Sequence, residues 1–194
     1  MGAGGNAYEP LPETEGCTCA IIGAGCVHDM RSLPAHYREH SVPYFYDPGQ
    51  QIPVLSAENL RQGIEGAAGL FANDYELDLI MQKTGWSKKE LCARTPLVVA
   101  TLGESGSRIM TKDATERVKA VHVTNVIDPT GAGDAYRAGF ITGYLMGETP
   151  RVCAQIGSAA AAYAVEQYGT QNHRFTPPEL AERYTAGYGE EFPL

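Results

Sequence analysis

A glycine-rich stretch in the second half of the chain, Asp128–Tyr136, constrains the fold more than any other part of the sequence. Its DPTGAGDAY segment contains two glycines and an alanine, so the backbone can approach a ligand closely. The residues that follow, Ala135–Met146, have the apolar spacing of an amphipathic helix. The turn is therefore predicted at a helix N terminus, where free N–H groups and the helix dipole favour an anion.

Asp134 is predicted in the first turn of this helix, where a carboxylate is electrostatically favoured. Backbone donors for a phosphate, beside a carboxylate that accepts a proton, are what phosphoryl transfer to a hydroxyl group requires. The alternative interpretation is an ordinary helix cap. A cap needs only one polar residue, so it leaves the rest of the pattern unexplained.

The composition narrows the class of protein. A chain of 194 residues with 43% hydrophobic content can form one core, and its length predicts one domain. The net charge is −8 and no block of Lys or Arg occurs, which argues against nucleic acid as a partner. An acidic protein can still bind ATP, because helix ends and Mg²⁺ supply a local positive field. The sequence shows no membrane-spanning run and no signal peptide, so no membrane partner is expected.

The five cysteines contain no CxxC pair, and without a secretory signal this favours reduced thiols in the cytoplasm. The beginning of the chain, 1–17, is glycine-rich, acidic and poor in apolar residues. We therefore expect a flexible N-terminal segment over 1–17, followed by one folded domain over 18–194.

Short apolar runs alternate with helical stretches, which predicts an α/β domain with a largely parallel sheet. The predicted strands are Cys19–Ile22, Pro43–Tyr46, Leu70–Ala72 and Leu97–Thr101, with Ser107–Met110 and Val118–Val123 as antiparallel additions at one edge. The predicted helices are Val27–Glu39, Ser56–Ala68, Leu77–Lys83, Lys88–Ala93 and Ala135–Met146, one that begins at Pro150 and ends by Gly169, and a weak one over Glu179–Tyr184.

A polar pair, Asn73 and Glu76, follows one of the predicted strands. In an open α/β sheet, ligands bind at the carboxyl ends of the strands. A carboxylate there can hold a hydrated Mg²⁺, since magnesium keeps several of its waters. A helix cap explains the N-x-x-E spacing equally well.

Two further stretches have little side-chain bulk. The TLGESG segment, Thr101–Gly106, ends a core strand, and its glycines suit close approach by a nucleotide; the alternative is a hairpin turn. Gly157–Ala162 is a small-residue stretch within a predicted helix, which by itself indicates close helix packing.

Together these motifs resemble the signatures of the ribokinase-like (PfkB) kinases of sugars and nucleosides. The matching patterns are D-x-T-G-A-G-D followed by an aromatic residue, N-x-x-E, and T-x-G-x-x-G. The resemblance implies a three-layer, ribokinase-like (Rossmann-like) fold with a mostly parallel central sheet flanked by helices. It also implies ATP-dependent transfer of the γ-phosphoryl group to a hydroxyl of a sugar or nucleoside. Asp47–Gln51 and Tyr168–Gln171 are most similar to the adenosine-kinase-like branch.

The same resemblance assigns roles to individual residues. It implies that Asp134 is the catalytic base and that Glu76 organises Mg²⁺. Family members often bind a monovalent cation near this turn, and Asp128 and Thr130 occupy the matching positions for K⁺. The residues implied to bind ATP and its transferring phosphoryl group are Asn73, Thr101, Gly103, Gly106, Gly131, Ala132, Gly133 and Ser158.

The sequence departs from the family at its beginning, because family members are considerably longer there. The chain resembles the later portion of such a kinase, without the leading strands, the lid and most of the residues that grip the acceptor. An uncovered sheet edge favours association between two copies of the chain, so a homodimer is one expectation.

Two alternatives remain beside the kinase interpretation. One is a non-catalytic nucleotide-binding fragment, which the motifs do not distinguish from a kinase. The other is a zinc protease, because His36, Glu39 and His40 fit the H-x-x-E-H pattern and both histidines lie on one helical face. No third ligand stands out in the sequence, and short patterns recur by chance.

We expect the purified 194-residue chain to show little or no kinase activity. A lid excludes water from a phosphoryl-transfer site, so a chain that lacks it favours ATP hydrolysis or inactivity over transfer. Assays of phosphorylated product from adenosine and from ribose, with ATP and Mg²⁺, test this expectation. Robust turnover of either acceptor would contradict it.

Overall fold

A computed structural model describes residues 11–193. The first ten residues of the predicted flexible segment 1–17 lie outside the described residues, as does Leu194. The strands are β1 (Ala20–Ile22), β2 (Tyr44–Tyr46), β3 (Gly69–Asn73), β4 (Val98–Thr101), β5 (Ser107–Met110) and β6 (Thr115–Val118). The helices are α1 (Val27–Glu39), α2 (Ala57–Ile64), α3 (Asp74–Thr84), α4 (Lys88–Arg94), α5 (Ala132–Leu145), α6 (Pro150–Val165) and α7 (Pro177–Tyr188).

The six strands form one sheet in the order β1-β2-β3-β4-β5-β6. β1 pairs with β2 and β2 pairs with β3, both in parallel, with Ile21 opposite Phe45 and Phe45 opposite Gly69. Helices separate these consecutive parallel strands, as a parallel connection requires. The predicted α/β class with a mostly parallel sheet is therefore confirmed.

The chain divides into two compact units. The first unit comprises Met1–Ala100 and Met110–Thr115, and the second comprises Thr101–Ile109 and Glu116–Leu194. Within the part of the chain that the structure describes, no helix is long and apolar enough to cross a membrane.

The core of the first unit surrounds β2, whose Tyr44, Phe45 and Tyr46 are fully buried. Burial of consecutive residues is typical of a parallel strand that is covered on both faces. A Cβ atom on Gly63 of α2 would overlap the Tyr46 ring, so the helix approaches the strand closely at a glycine. Arg38 of α1 donates hydrogen bonds to the Tyr44 hydroxyl at 2.8 Å and to two backbone carbonyls near the end of α2. These contacts tie both helices to the central strand.

Helix starts follow the capping residues in the sequence. Ser87 and Glu90 form the predicted capping box at the start of α4. Thr176 and Glu179 form another at the start of α7, which has Pro177 in its first turn. The weak helix predicted over Glu179–Tyr184 is therefore longer, because the box starts it earlier and a left-handed Gly189 ends it later.

In the second unit, α5 and α6 approach each other at glycines. A Cβ atom on Gly157 would lie 2.6 Å from the Tyr136 carbonyl oxygen, and one on Gly139 would lie 2.9 Å from the Gly157 Cα. Gly143 is similarly close to the Cys153 Cα, at 3.0 Å. The Gly157–Ala162 stretch thus serves close helix packing, as its composition indicates.

The predicted strand over Val118–Val123 is wrong. The strand β6 ends at Val118, and the following residues lie outside regular secondary structure. The reason is a side-chain contact: the Val121 N–H donates to the Ser158 hydroxyl at 2.8 Å instead of to a neighbouring strand.

The contact between α5 and α6 predicts the effect of a small substitution. Gly157→Ala should destabilise the chain by about 1–3 kcal/mol, because the added methyl overlaps the Tyr136 backbone, which has no side-chain freedom to move away. The free energy of unfolding from urea titration checks this. Gly25→Ala is the control, since its nearest contact would be 3.8 Å away; an equal loss in both variants would contradict the packing argument.

Candidate active site

The turn before α5 adopts a backbone conformation that only glycine tolerates well. Gly131, the N-cap of α5, has φ 86° and ψ −8°, in the left-handed region. A Cβ atom there would also lie 2.7 Å from the Thr170 carbonyl oxygen, so the turn and the loop at Thr170 touch through their backbones. Glycine has no side chain to cap the helix, so no side chain caps α5, and the Ala132 N–H donates to the Pro129 carbonyl at 3.2 Å. The helix N terminus predicted at this turn is thus present, with α5 beginning at Ala132 rather than at Ala135, and its anion-binding role stays a prediction.

Asp134 lies in this first turn, and its side chain is 84% exposed. The Arg137 Nη1 atom is 3.7 Å from its Oδ1 atom, while the Arg137 side chain is only 15% exposed. The carboxylate therefore faces solvent instead of the packed interior, and its role as a base stays a prediction. Sequence reasoning did not identify Arg137, although its i, i+3 spacing from Asp134 was a usable signal.

Asp128 ties the turn to a later loop. Its Oδ1 atom accepts the Thr130 N–H at 2.9 Å and its Oδ2 atom accepts the Gly169 N–H at 3.0 Å. Hydrogen bonds from the Thr130 side chain and backbone, and from the Gly169 backbone, hold the Asp128 pKa below its ordinary value. Both oxygens thus act as acceptors for protein donors, and the K⁺ role of Asp128 and Thr130 stays a prediction.

A cavity of about 570 Å³ lies beside the turn, entirely within the second unit. Most of the residues predicted to bind ATP line it, although they are far apart in the sequence. These are Thr101, Gly103, Gly106, Ala132, Gly133 and Ser158. We call it the nucleotide cavity below. Its size is that of a pocket for a small ligand.

The segment Thr101–Gly106 forms a tight turn and lines the cavity at the same time. The Leu102 N–H donates to the Gly106 carbonyl at 2.8 Å, which closes the turn. Gly106 has φ 90°, and a Cβ atom there would overlap the Val118 carbonyl. The turn expected in the hairpin interpretation is therefore present, and the nucleotide-binding role of this segment stays a prediction.

Sequence reasoning missed one wall of the cavity. Because residues up to Val123 were predicted as an edge strand, no side chain there was assigned to a site. Tyr136 was recognised only as the aromatic position of a motif, yet its hydroxyl donates to the Ser107 hydroxyl at 2.8 Å. Burial raises the pKa of Tyr136, so this phenol remains a donor. The missed lining residues include Ala120, Val121, His122, Val123, Val126 and Tyr136.

Asn73 and Glu76 lie in the first unit and form a reciprocal cap at the start of α3. The Glu76 Oε2 atom accepts the Asn73 N–H, and the Asn73 Oδ1 atom accepts the Glu76 N–H, both at 2.8 Å. The Glu76 Oε1 atom is 4.0 Å, and the Ala24 Cβ atom 3.0 Å, from where a Cβ of Gly49 would lie, so both approach the glycine after β2. A partly buried carboxylate at the carboxyl end of a strand fits a hydrated Mg²⁺. The roles of both residues toward ligands stay predictions.

The histidine pattern forms no metal site within residues 11–193. His36 and His40 do share a helical face, with ring centroids 4.5 Å apart. However, the His36 Nε2 atom donates to the Pro12 carbonyl at 2.9 Å and the His40 Nδ1 atom donates to the His36 carbonyl at 2.8 Å. No group of three His, Cys, Asp or Glu side chains in the described residues is placed to hold a metal ion. The zinc-protease alternative therefore gains no support.

The parallel α/β sheet, the left-handed glycine turn at the start of α5 and the adjoining cavity define the class of ribokinase-like α/β proteins. Residues 21–176 match the pfkB family carbohydrate kinase, and the chain belongs to that family. The family resemblance in the sequence is thus confirmed.

Nucleoside kinases are prominent among the similar proteins. The nucleoside kinase of Methanocaldococcus jannaschii is 37% identical over 138 residues, which cover 71% of this chain and 46% of that protein. The structure of Burkholderia thailandensis nucleoside kinase in complex with inosine has a TM-score of 0.87 and 34% identity, over 90% of this chain and 57% of that one. Its complex with ADP-inosine also has a TM-score of 0.87 and 34% identity, over 90% and 55% of the two chains. The chain spans about half the length of these relatives.

Proposed function

We propose that this chain provides the nucleotide-binding and phosphoryl-transfer part of an ATP-dependent nucleoside or sugar kinase. The observation that carries the proposal is the start of α5. There, a left-handed Gly131 begins the helix without a side-chain cap, and an exposed carboxylate, Asp134, lies in the same turn. Ala132 and Gly133 of that turn line the nucleotide cavity, so ATP bound there would place its terminal phosphate at the N terminus of α5.

Each part of the turn then has a chemical task. The N–H groups of Gly131 and Gly133 stabilise negative charge on the transferring phosphoryl group. The Asp134 carboxylate accepts the proton of the acceptor hydroxyl while the hydroxyl oxygen bonds to the γ-phosphorus. ADP leaves with the electrons of the broken P–O bond. Thr101, Gly103, Gly106 and Ser158 line the rest of the cavity around the nucleotide.

Two carboxylates are proposed to hold cations. Glu76, at the start of α3, would hold Mg²⁺, with waters completing the coordination. When bound, Mg²⁺ neutralises phosphate charge. Asp128 and Thr130 would contribute to a K⁺ site while Asp128 continues to accept the Gly169 N–H.

We infer a nucleoside acceptor in preference to a free sugar. The support is that two complexes of a 34% identical nucleoside kinase contain inosine and ADP-inosine. The adenosine-kinase-like features at Asp47–Gln51 and Tyr168–Gln171 favour the same class. We further propose a cytoplasmic location, where the five free cysteines would remain reduced. A homodimer through the edge strand β1, whose Ile21 is 45% exposed, stays a prediction.

Blocking the cavity should abolish nucleotide binding without unfolding the chain. Ala161 of α6 lines the cavity and is partly buried, so in Ala161→Leu the larger side chain occupies space needed by the nucleotide. We expect affinity for Mg²⁺-ATP, measured by isothermal titration calorimetry, to fall at least about tenfold. Ala181→Leu on α7 is the control, because Ala181 is also partly buried on a helix but does not line the cavity. Equal affinities in the two variants would contradict the assignment of the cavity.

Removing the charge of Asp134 should lower the rate of phosphoryl transfer and leave the affinity for ATP nearly unchanged. Asp134→Asn cannot accept the hydroxyl proton, so phosphoryl transfer should fall at least about 100-fold while ATP affinity stays within about twofold. A radiometric assay with a panel of nucleosides and sugars measures even slow transfer. Asp74→Asn is the control, since Asp74 is also an exposed acid in the first turn of a helix. Transfer that survives in Asp134→Asn would refute the base assignment, and ATP binding with no transfer in any variant would favour the non-catalytic fragment.

A further inference from the structure

One wall of the nucleotide cavity is a segment without regular secondary structure. Residues 120–123 line the cavity, and the strand β6 has already ended at Val118. Strand pairing therefore does not fix the position of this segment, which we call the wall segment. Its position must come from other contacts.

The wall segment separates two cavities of the second unit. A second cavity of about 850 Å³ lies on its far side, and Ala120, Val121 and His122 line both. The remaining lining of the second cavity comes largely from α6 and α7. The C-terminal helix α7 thus faces the back of the wall that the nucleotide would contact from the front.

Three contacts hold the wall segment and Lys119, which directly precedes it. From behind, the Tyr188 hydroxyl donates to the Lys119 carbonyl at 2.9 Å, and a Cβ atom on Gly187 would lie 3.0 Å from the Val121 Cγ2 atom, so α7 approaches the wall closely. From the nucleotide cavity, which Ser158 lines, the Ser158 hydroxyl accepts the Val121 N–H at 2.8 Å.

The phenol of Tyr188 is suited to act as a permanent donor. Burial raises its pKa, and the nearby Glu190 carboxylate acts in the same direction, against the hydrogen bond with Ser158. The hydroxyl therefore keeps its proton at neutral pH, and the bond to Lys119 persists.

We propose that Tyr188 is a positioning residue for the nucleotide: it holds the wall segment through the Lys119 carbonyl, so that helix α7 sets nucleotide affinity without touching the nucleotide. This inference rests on the proposed function, because it assumes that the cavity binds ATP or ADP. Tyr188 lines the second cavity and not the nucleotide cavity, so its effect must pass through the wall.

The test removes one hydroxyl group and uses a matched control. Tyr188→Phe retains the ring and loses the bond to Lys119, whereas Tyr163→Phe loses a bond of the same kind, from the Tyr163 hydroxyl to the Glu179 carbonyl at 2.9 Å. Tyr163 also lines only the second of the two cavities. Titration calorimetry with Mg²⁺-ADP on the full 194-residue chain should show about fivefold weaker binding in Tyr188→Phe and unchanged binding in Tyr163→Phe.

Amide hydrogen exchange provides a second readout that does not depend on nucleotide binding. Peptides over 119–123 should exchange faster in Tyr188→Phe than in the unmodified chain, while both variants keep its melting temperature within a few degrees. If the unmodified chain binds ADP and Tyr188→Phe binds it equally well, the positioning role is wrong and the proposed function stands. If the unmodified chain binds no ADP, the proposed function fails. In that case, equal amide exchange over 119–123 in Tyr188→Phe and in the unmodified chain would also show that Tyr188 does not hold the wall segment.

Discussion

The candidate site depends on a backbone contact between the turn before α5 and the loop at Thr170. Gly131 adopts a left-handed conformation there, and the Thr170 backbone occupies the space that any side chain would need. Asp128 strengthens this contact, because its two carboxylate oxygens accept N–H groups from both segments. The Val165 carbonyl accepts N–H groups from Ile127 and Asp128, so the turn is also attached to the end of α6. These attachments fix the orientation of the N–H groups in the first turn of α5.

The glycines between α5 and α6 connect this turn to the nucleotide cavity. Because Gly139 and Gly157 let the two helix backbones approach, the Tyr136 carbonyl lies directly against α6. The Tyr136 hydroxyl at the same time donates to Ser107 of β5. Tyr136 thus joins α5, α6 and β5, and it also lines the cavity together with residues of α5 and α6. A well-packed interior transmits even small displacements, so packing and ligand geometry are not separate properties here.

Glu76 shows how a structural role and a proposed chemical role are compatible in one side chain. The Oε2 atom accepts the Asn73 N–H and caps α3, whereas the Oε1 atom takes no part in that hydrogen bond. The cap restricts the side chain to one orientation before any cation binds. Such preorganisation lowers the entropic cost of binding.

Local chemistry in the sequence was enough to predict the α/β class, the capping boxes and the glycine turn at a helix start. Capping needs only residues a few positions apart, so the start of a helix is set by a short stretch of sequence. The family signature at Asp128–Asp134 was recognisable for the same reason, since its function depends on consecutive residues. The start of α1 and the end of α4 were predicted within a residue.

Only the tertiary structure decided what holds the cavity wall, because that depends on residues far apart in the sequence. Nothing near Val121 indicates that its N–H would bond to Ser158 of α6 instead of to a strand, and the alternating apolar residues of the segment suggested a strand. The packing of α7 against that segment, and the exposure of Asp134, likewise follow from how the helices assemble. The sequence by itself determined the chemical groups and their local order, whereas the folded chain determined which donors they meet, since hydrogen bonds and close contacts depend on distances in space.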